Sequence, residues 1–115
     1  MQLTVRVVAA GAGPRPAPGT PVRVEVRDVT EQDAASVLVA GVDAEAVDDG
    51  TRTIATVAVD APDDLLASTA DLVVWARVAV SGAERTSYAD LVSTQAVAVP
   101  RDPATPEVDL PVVAI

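Results

Sequence analysis

The chain contains no cysteine, histidine, lysine or phenylalanine, and its aromatic side chains are one tryptophan and one tyrosine. Without cysteine there is no disulfide and no thiolate chemistry, and the redox compartment leaves no trace in the sequence. The missing histidine, cysteine and lysine remove most general bases and covalent nucleophiles, and the Ser and Thr hydroxyls have no activating partner. Paired-carboxylate chemistry on sugars would need a pocket of stacking aromatics that so few rings do not furnish. The expectation is a chain that is not an enzyme and uses no cofactor. Positive charge is also scarce: twelve Asp and five Glu face eight Arg, for a net charge of −9 at pH 7. Nucleic acid and anionic membrane surfaces both require a basic stripe, so neither is an expected partner. Long apolar runs are missing too, since the longest, residues 72–76, is far short of the roughly 20 residues that cross a bilayer as a helix. Residues 1–9 open on strict alternation rather than on a basic stretch followed by an apolar one, which makes a cytoplasmic chain the default expectation.

What is present is Val and Ala. Half the residues are apolar, and a core of small branched side chains fills space best by interdigitating between close-packed sheet layers. The local patterns agree. Leu3, Val5, Val7 and Ala9 alternate with Gln2, Thr4 and Arg6, and Val22, Val24 and Val26 alternate with Arg23, Glu25 and Arg27, as half-buried strands require. Between them, residues 11–21 hold four prolines and three glycines, which cannot continue a ladder. Residues 37–47 and 51–59 are strand-like, and Asp48, Asp49 and Gly50 between them predict a tight hairpin. Asp60, Ala61 and Pro62 end that segment, and residues 63–70 allow one helical turn capped by Asp60 or Asp63. Residues 72–80 form the next strand, and residues 85–88 and 92–99 read as one broken or two short strands. The tail from Pro100, with Pro103, Pro106 and Pro111, is expected to be an edge strand or an irregular wrap. These segments predict an all-β fold: a single-domain β-sandwich of about seven mostly antiparallel strands, immunoglobulin- or transthyretin-like in appearance.

Trp75 is the most informative position. Arg77 is the only charged residue within residues 72–80 and is expected to face water, which sends Leu72, Val74, Ala76, Val78 and Val80 inward. Val73, Trp75 and Ala79 then share the outer face with Arg77. An outward indole beside a valine marks a binding or oligomer surface, unless the 11–21 loop or the Pro-rich tail folds over it as a second core. Tyr88 is better explained as a buried ring whose hydroxyl bonds to backbone. Asp60, Asp63 and Asp64, with Asp48 and Asp49 in a second turn, invite a calcium reading. Their spacing matches no calcium loop, and turn capping and solubility account for them.

Two stretches carry a family resemblance. APGTPVRVEVRDVTEQDA at residues 17–34, and DLVVWARVAVSG from residue 71 followed by Tyr88 and Val97, resemble the YbaY/YscW family of small bacterial lipoproteins. The likeness covers a core of about residues 17–99, leaving residues 100–115 as a tail. It implies a small β-sandwich and, for some members, pilotin activity, the chaperoning of secretin subunits of type III secretion systems to the outer membrane. No catalytic residues carry over. The signal peptide and acylated cysteine of the lipoprotein members are not found in these residues, so membrane insertion is not expected of this form. The leading functional expectation is a non-enzymatic interaction or assembly module that offers Val73, Trp75 and Arg77, or an open strand edge, to a protein partner or a second copy. The alternative is a small-ligand or carbohydrate-binding module with Asp60, Asp63 and Asp64 holding calcium.

Overall fold

Eight strands and one helical turn follow one another in the computed structural model, which describes residues 1–11, 15–31, 35–82, 84–86, 90–93, 95, 97–102, 104 and 106–114. They are β1 (Gln2–Ala9), β2 (Pro21–Asp28), β3 (Val37–Glu45), β4 (Thr53–Asp60), α1 (Asp63–Leu66), β5 (Leu72–Val78), β6 (Leu91–Val92), β7 (Val97–Ala98) and β8 (Glu107–Ala114). The class is all-β in one domain, as the alternation predicts. In detail the strands form one path, β3-β2-β5-β6-β8-β1-β4, with β7 paired to a second stretch of β5. The sheet curls into a nearly closed barrel instead of splitting into two separate layers.

The alternating valines decide which side chains the curl encloses. Leu3, Val5 and Val7 of β1, Val22, Val24 and Val26 of β2, Ile54, Val57 and Val59 of β4, and Leu110 and Val112 of β8 are all buried. With side chains this small, opposing walls must approach closely, and curling the sheet achieves that.

Three local expectations change once pairing is known. The segments flanking Asp48–Gly50 do not form a hairpin: β3 pairs with β2, whereas β4 pairs with β1. The Asp residues do make the turn, since Asp48 Oδ1 accepts the Gly50 N–H and Asp49 Oδ1 accepts the Thr51 N–H, and Gly50 has φ +80°. That turn carries the chain from one wall to the other. The helical turn is narrower than expected and is preceded by Pro62, with no side-chain cap. β5 ends at Val78, so Val80 is exposed and not part of the core.

The largest correction is the tail. β8 is an internal strand, parallel to β1 through Thr4↔Glu107 to Ala9↔Val112 and antiparallel to β6 at Val113↔Val92 and Ala114↔Leu91. Pro111 is tolerated there for a geometric reason. The Pro106 and Val112 carbonyls accept from the Thr4 and Ala10 N–H groups at 2.8 and 3.0 Å, so the even-numbered residues of β8 point their backbone groups at β1. Pro111 points the other way, where β6 begins pairing only at Val113. Its missing N–H therefore costs no ladder bond.

Leu110 is fully buried on this seam, and Leu110→Ala is expected to lower unfolding stability by about 2–5 kcal/mol. Urea denaturation followed by circular dichroism measures it; a loss below about 1 kcal/mol would show that β8 is dispensable to the core.

Candidate functional site

The outer surface of the β3-β2-β5 wall is built from residues whose parity excludes them from the core. The register places Arg23 beside Arg77, Glu25 beside Trp75 and Arg27 beside Val73. Burial alternates strictly along β5: Leu72, Val74, Ala76 and Val78 are buried, while Val73, Trp75 and Arg77 are intermediate. Structure and sequence therefore agree on which way Trp75 points.

Arg77 shares that face but does not project into water. Its side chain is 13% exposed and pairs with Asp90, which is completely buried, at 2.8 Å. The same guanidinium donates to the Glu84 and Arg85 carbonyls at 3.0 and 2.8 Å, and Asp90 Oδ1 accepts the Ser81 N–H at 2.8 Å. Arg77 is thus a clamp that pulls the loop after β5 over the end of the strand. The partner carboxylate lies 13 residues away, beyond what local pattern can indicate.

Arg23 and Arg77 are cross-strand neighbours of like charge, an arrangement that is unfavourable unless each has its own counterion. Arg77 turns to Asp90, and Arg23 turns to Glu25 at 3.2 Å and to Asp43 at 3.3 Å. Glu25, only 8% exposed, also accepts from Arg27 Nε at 2.8 Å. Arg27 in turn donates to the Ser36 hydroxyl at 3.1 Å. Gly41, opposite Glu25 on β3, leaves the gap that Arg23 fills, since a Cβ there would collide with its guanidinium. The i, i+2 spacing of Arg23, Glu25 and Arg27 could have disclosed this row from sequence.

Trp75 borders a shallow recess of about 300 Å³ with Glu25, Arg27 and Ser36. It is half-buried rather than sealed. The described parts of the two segments that could have covered it are engaged elsewhere: Gly19 and Thr20 bond to Ala46, and residues 107–114 form β8. Tyr88 lies outside the described residues. The recess holds a carboxylate committed to two guanidinium groups and a serine hydroxyl that accepts from Arg27, and what it offers is a flat amphipathic contact surface.

The acidic turn does not gather. Asp60 ends β4 and Asp63 and Asp64 open α1, all exposed. Among the described residues no group of three or more acidic side chains is placed to hold a metal ion. Sequence reasoning also missed a second feature. Val37 and Leu38, at the start of β3, are 64% and 47% exposed. Beside Val37 opens a cleft of about 550 Å³ walled by Asp28, Thr30, Glu31 and residues 68–70.

No protein-family model matches the chain, and no curated protein matches it. Among solved structures, an alternative pilotin from the type II secretion system of Vibrio cholerae is similar over 100% of this chain and 96% of its own, with a TM-score of 0.74 and 17% sequence identity. A likeness at that identity is a likeness of fold.

The buried Arg77–Asp90 pair makes Asp90→Ala expensive, because it leaves a guanidinium covered without its counterion. A loss of about 3–5 kcal/mol is expected in chemical denaturation. Hydrogen bonds from the Thr30 and Thr51 hydroxyls, and then from their N–H groups, hold Asp28 and Asp49 below the ordinary carboxylate range. Both titrate lower folded than unfolded, so their contribution is complete above about pH 4 and is lost as the pH falls through their lowered values. The urea midpoint should therefore decline below about pH 4, and the double variant Thr30→Val, Thr51→Val should flatten that decline.

Proposed function

We infer that this chain is a non-enzymatic protein-binding module that holds another polypeptide during assembly, in the manner of a pilotin. The finer reading, a relative of the YbaY/YscW proteins acting on a secretin subunit, is part of the same proposal. One observation carries it: a half-buried indole stands at the middle of an outward sheet face, next to charged side chains that are already mutually satisfied.

A surface of this kind suits protein contact for two reasons. Trp supplies a large, stiff contact area and loses little rotamer freedom on binding. Glu25 flanked by Arg23 and Arg27 fixes the polar groups around it, so a partner meets a preorganised surface. The pilotin-like fold supports the assembly role, and the resemblance of residues 17–34 and 71–97 supports the family.

The test is co-purification with secretin subunits encoded in the source genome, using the protein and its Trp75→Ser variant. The protein should retain such a subunit through size exclusion. Trp75→Ser should keep its thermal midpoint and lose about 2 kcal/mol of binding, roughly thirtyfold in Kd. Failure of the protein to retain any secretin subunit would defeat the pilotin reading.

A further inference from the structure

We propose that the free edge of β3 accepts an extended, apolar and lysine- or arginine-bearing strand from the partner, added to the sheet beside Val37 and Leu38. This rests on the protein-binding reading above and names the docking edge and the partner's chemistry.

β3 and β4 are the two ends of the strand path. Away from the turn that joins them, where the Val47 N–H donates to the Ile54 carbonyl at 2.8 Å, each presents an outward row of N–H and C=O groups that a further strand could pair with. The two edges are protected differently. On β4 the apolar residues Ile54, Val57 and Val59 are buried, and Thr56, Ala58 and Asp60 face out. On β3 the charges stand at one end, Asp43 and Glu45, while the other end exposes Val37 and Leu38. Natural sheets shield edges with charge, proline, bulges or short strands; the Val37–Leu38 end of this nine-residue strand carries neither charge nor proline, and is interrupted by a bulge at Val39, opposite the Val26–Arg27 step.

The cleft next to that end gives the partner its charge. Among the described residues that line it, the ionisable ones are Asp28 and Glu31, and the Thr30 hydroxyl and N–H favour the charged form of Asp28. The walls are fixed. The Asp71 N–H donates to the Thr30 hydroxyl at 3.0 Å and the Val29 N–H to the Asp71 carbonyl at 2.8 Å. On the other side Arg101 donates to the Leu66, Ser68 and Ala70 carbonyls. Val37 sits opposite Asp28 and Leu38 opposite Arg27, so the two apolar residues face opposite sides of the sheet. An added strand then offers an apolar side chain over Leu38 and a basic one into the cleft.

A second copy fits the edge poorly. Antiparallel self-pairing about the middle of β3 would bring Asp43 and Glu45 of one chain towards Asp28 and Glu31 of the other, and each chain already carries a net charge of −9.

The test uses the 15N-labelled protein and two labelled probe peptides of alternating pattern, Thr-Lys-Val-Thr-Val-Lys-Val-Thr and its counterpart with Glu in place of both Lys. The Lys peptide should shift the amides of residues 37–45 and bind at least about tenfold more tightly than the Glu peptide at low salt, a gap that narrows at high salt. Leu38→Asp should remove binding with an unchanged thermal midpoint, and Asp28→Asn with Glu31→Gln should erase the preference for Lys. Shifts centred on β4 or Trp75, equal binding of both peptides, no binding, or a concentration-dependent dimer in light scattering would each overturn the proposal. Secretin co-purification run with Leu38→Asp separates the two levels. A subunit retained by that variant refutes the edge and leaves the protein-binding reading standing, whereas no retention by the unmodified protein refutes that reading.

Discussion

β8 is the strand on which everything else rests, because it belongs to both halves of the sheet at once. Its first part pairs in parallel with β1 and its last two residues pair antiparallel with β6. Remove it from consideration and β1 with β4 is an isolated pair, too small to hold a core by itself. With it in place the sheet is continuous from β3 round to β4, and Leu110 and Val112 enter the interior with nearly no exposure. Parallel pairing between the first and last strands requires contacts that span nearly the whole sequence, which is the slowest kind to form. The fold is therefore all-or-none in character: the wall that displays Trp75 is shaped only when the last strand has docked against the first.

The arginines explain how such an acidic chain presents its surface. Arg6 pairs with Asp109 across the β1-β8 seam, Arg52 donates to the Ala9 and Gly11 carbonyls, Arg77 clamps the loop after β5, and Arg101 binds carbonyls following α1. Arg23 and Arg27 are committed to Glu25. Guanidinium groups hold several hydrogen bonds in a fixed fork, which suits them to tying loops to strands, a task a lysine ammonium performs poorly. Positive charge is consumed in fastening the fold, and the charge left for approaching molecules is negative. Long-range attraction then favours basic partners and disfavours copies of itself.

How much of this was readable beforehand follows from what alternation encodes. Period-two patterning tells which side of a sheet a residue faces, and it placed Leu72, Val74 and Ala76 inside and Trp75 outside. It does not say which strand lies alongside. For that reason β3 and β4 looked like hairpin partners, although they sit on different walls, and a proline-rich tail looked like an edge, although Pro111 needs only one unpaired side. Arg77 shows the same limit at the level of a side chain. Its charge fixes its face, but its burial depends on Asp90, delivered by a loop whose path no local pattern records. Val37 and Leu38 were read as ordinary strand residues because exposure at an edge is a property of topology.

The two unusual surfaces are also neighbours. β3 and β5 flank β2, so with strands about 4.8 Å apart a strand added outside β3 lies roughly 14 Å from β5. Between them run Leu38 beside Arg27 beside Val73, and Gly41 beside Glu25 beside Trp75. The missing side chain at Gly41 leaves room for the Arg23 guanidinium, which with Glu25 fills the row between the edge and the indole. Sheet pairing of a strand supplies hydrogen bonds with little discrimination among sequences, and an aromatic contact supplies discrimination with few hydrogen bonds. A partner that engages β3 by its backbone and reaches Trp75 with an adjoining segment obtains both from one continuous face. The same rigid row of Arg23, Glu25 and Arg27 sets the spacing between those two contacts, and with it which partners fit.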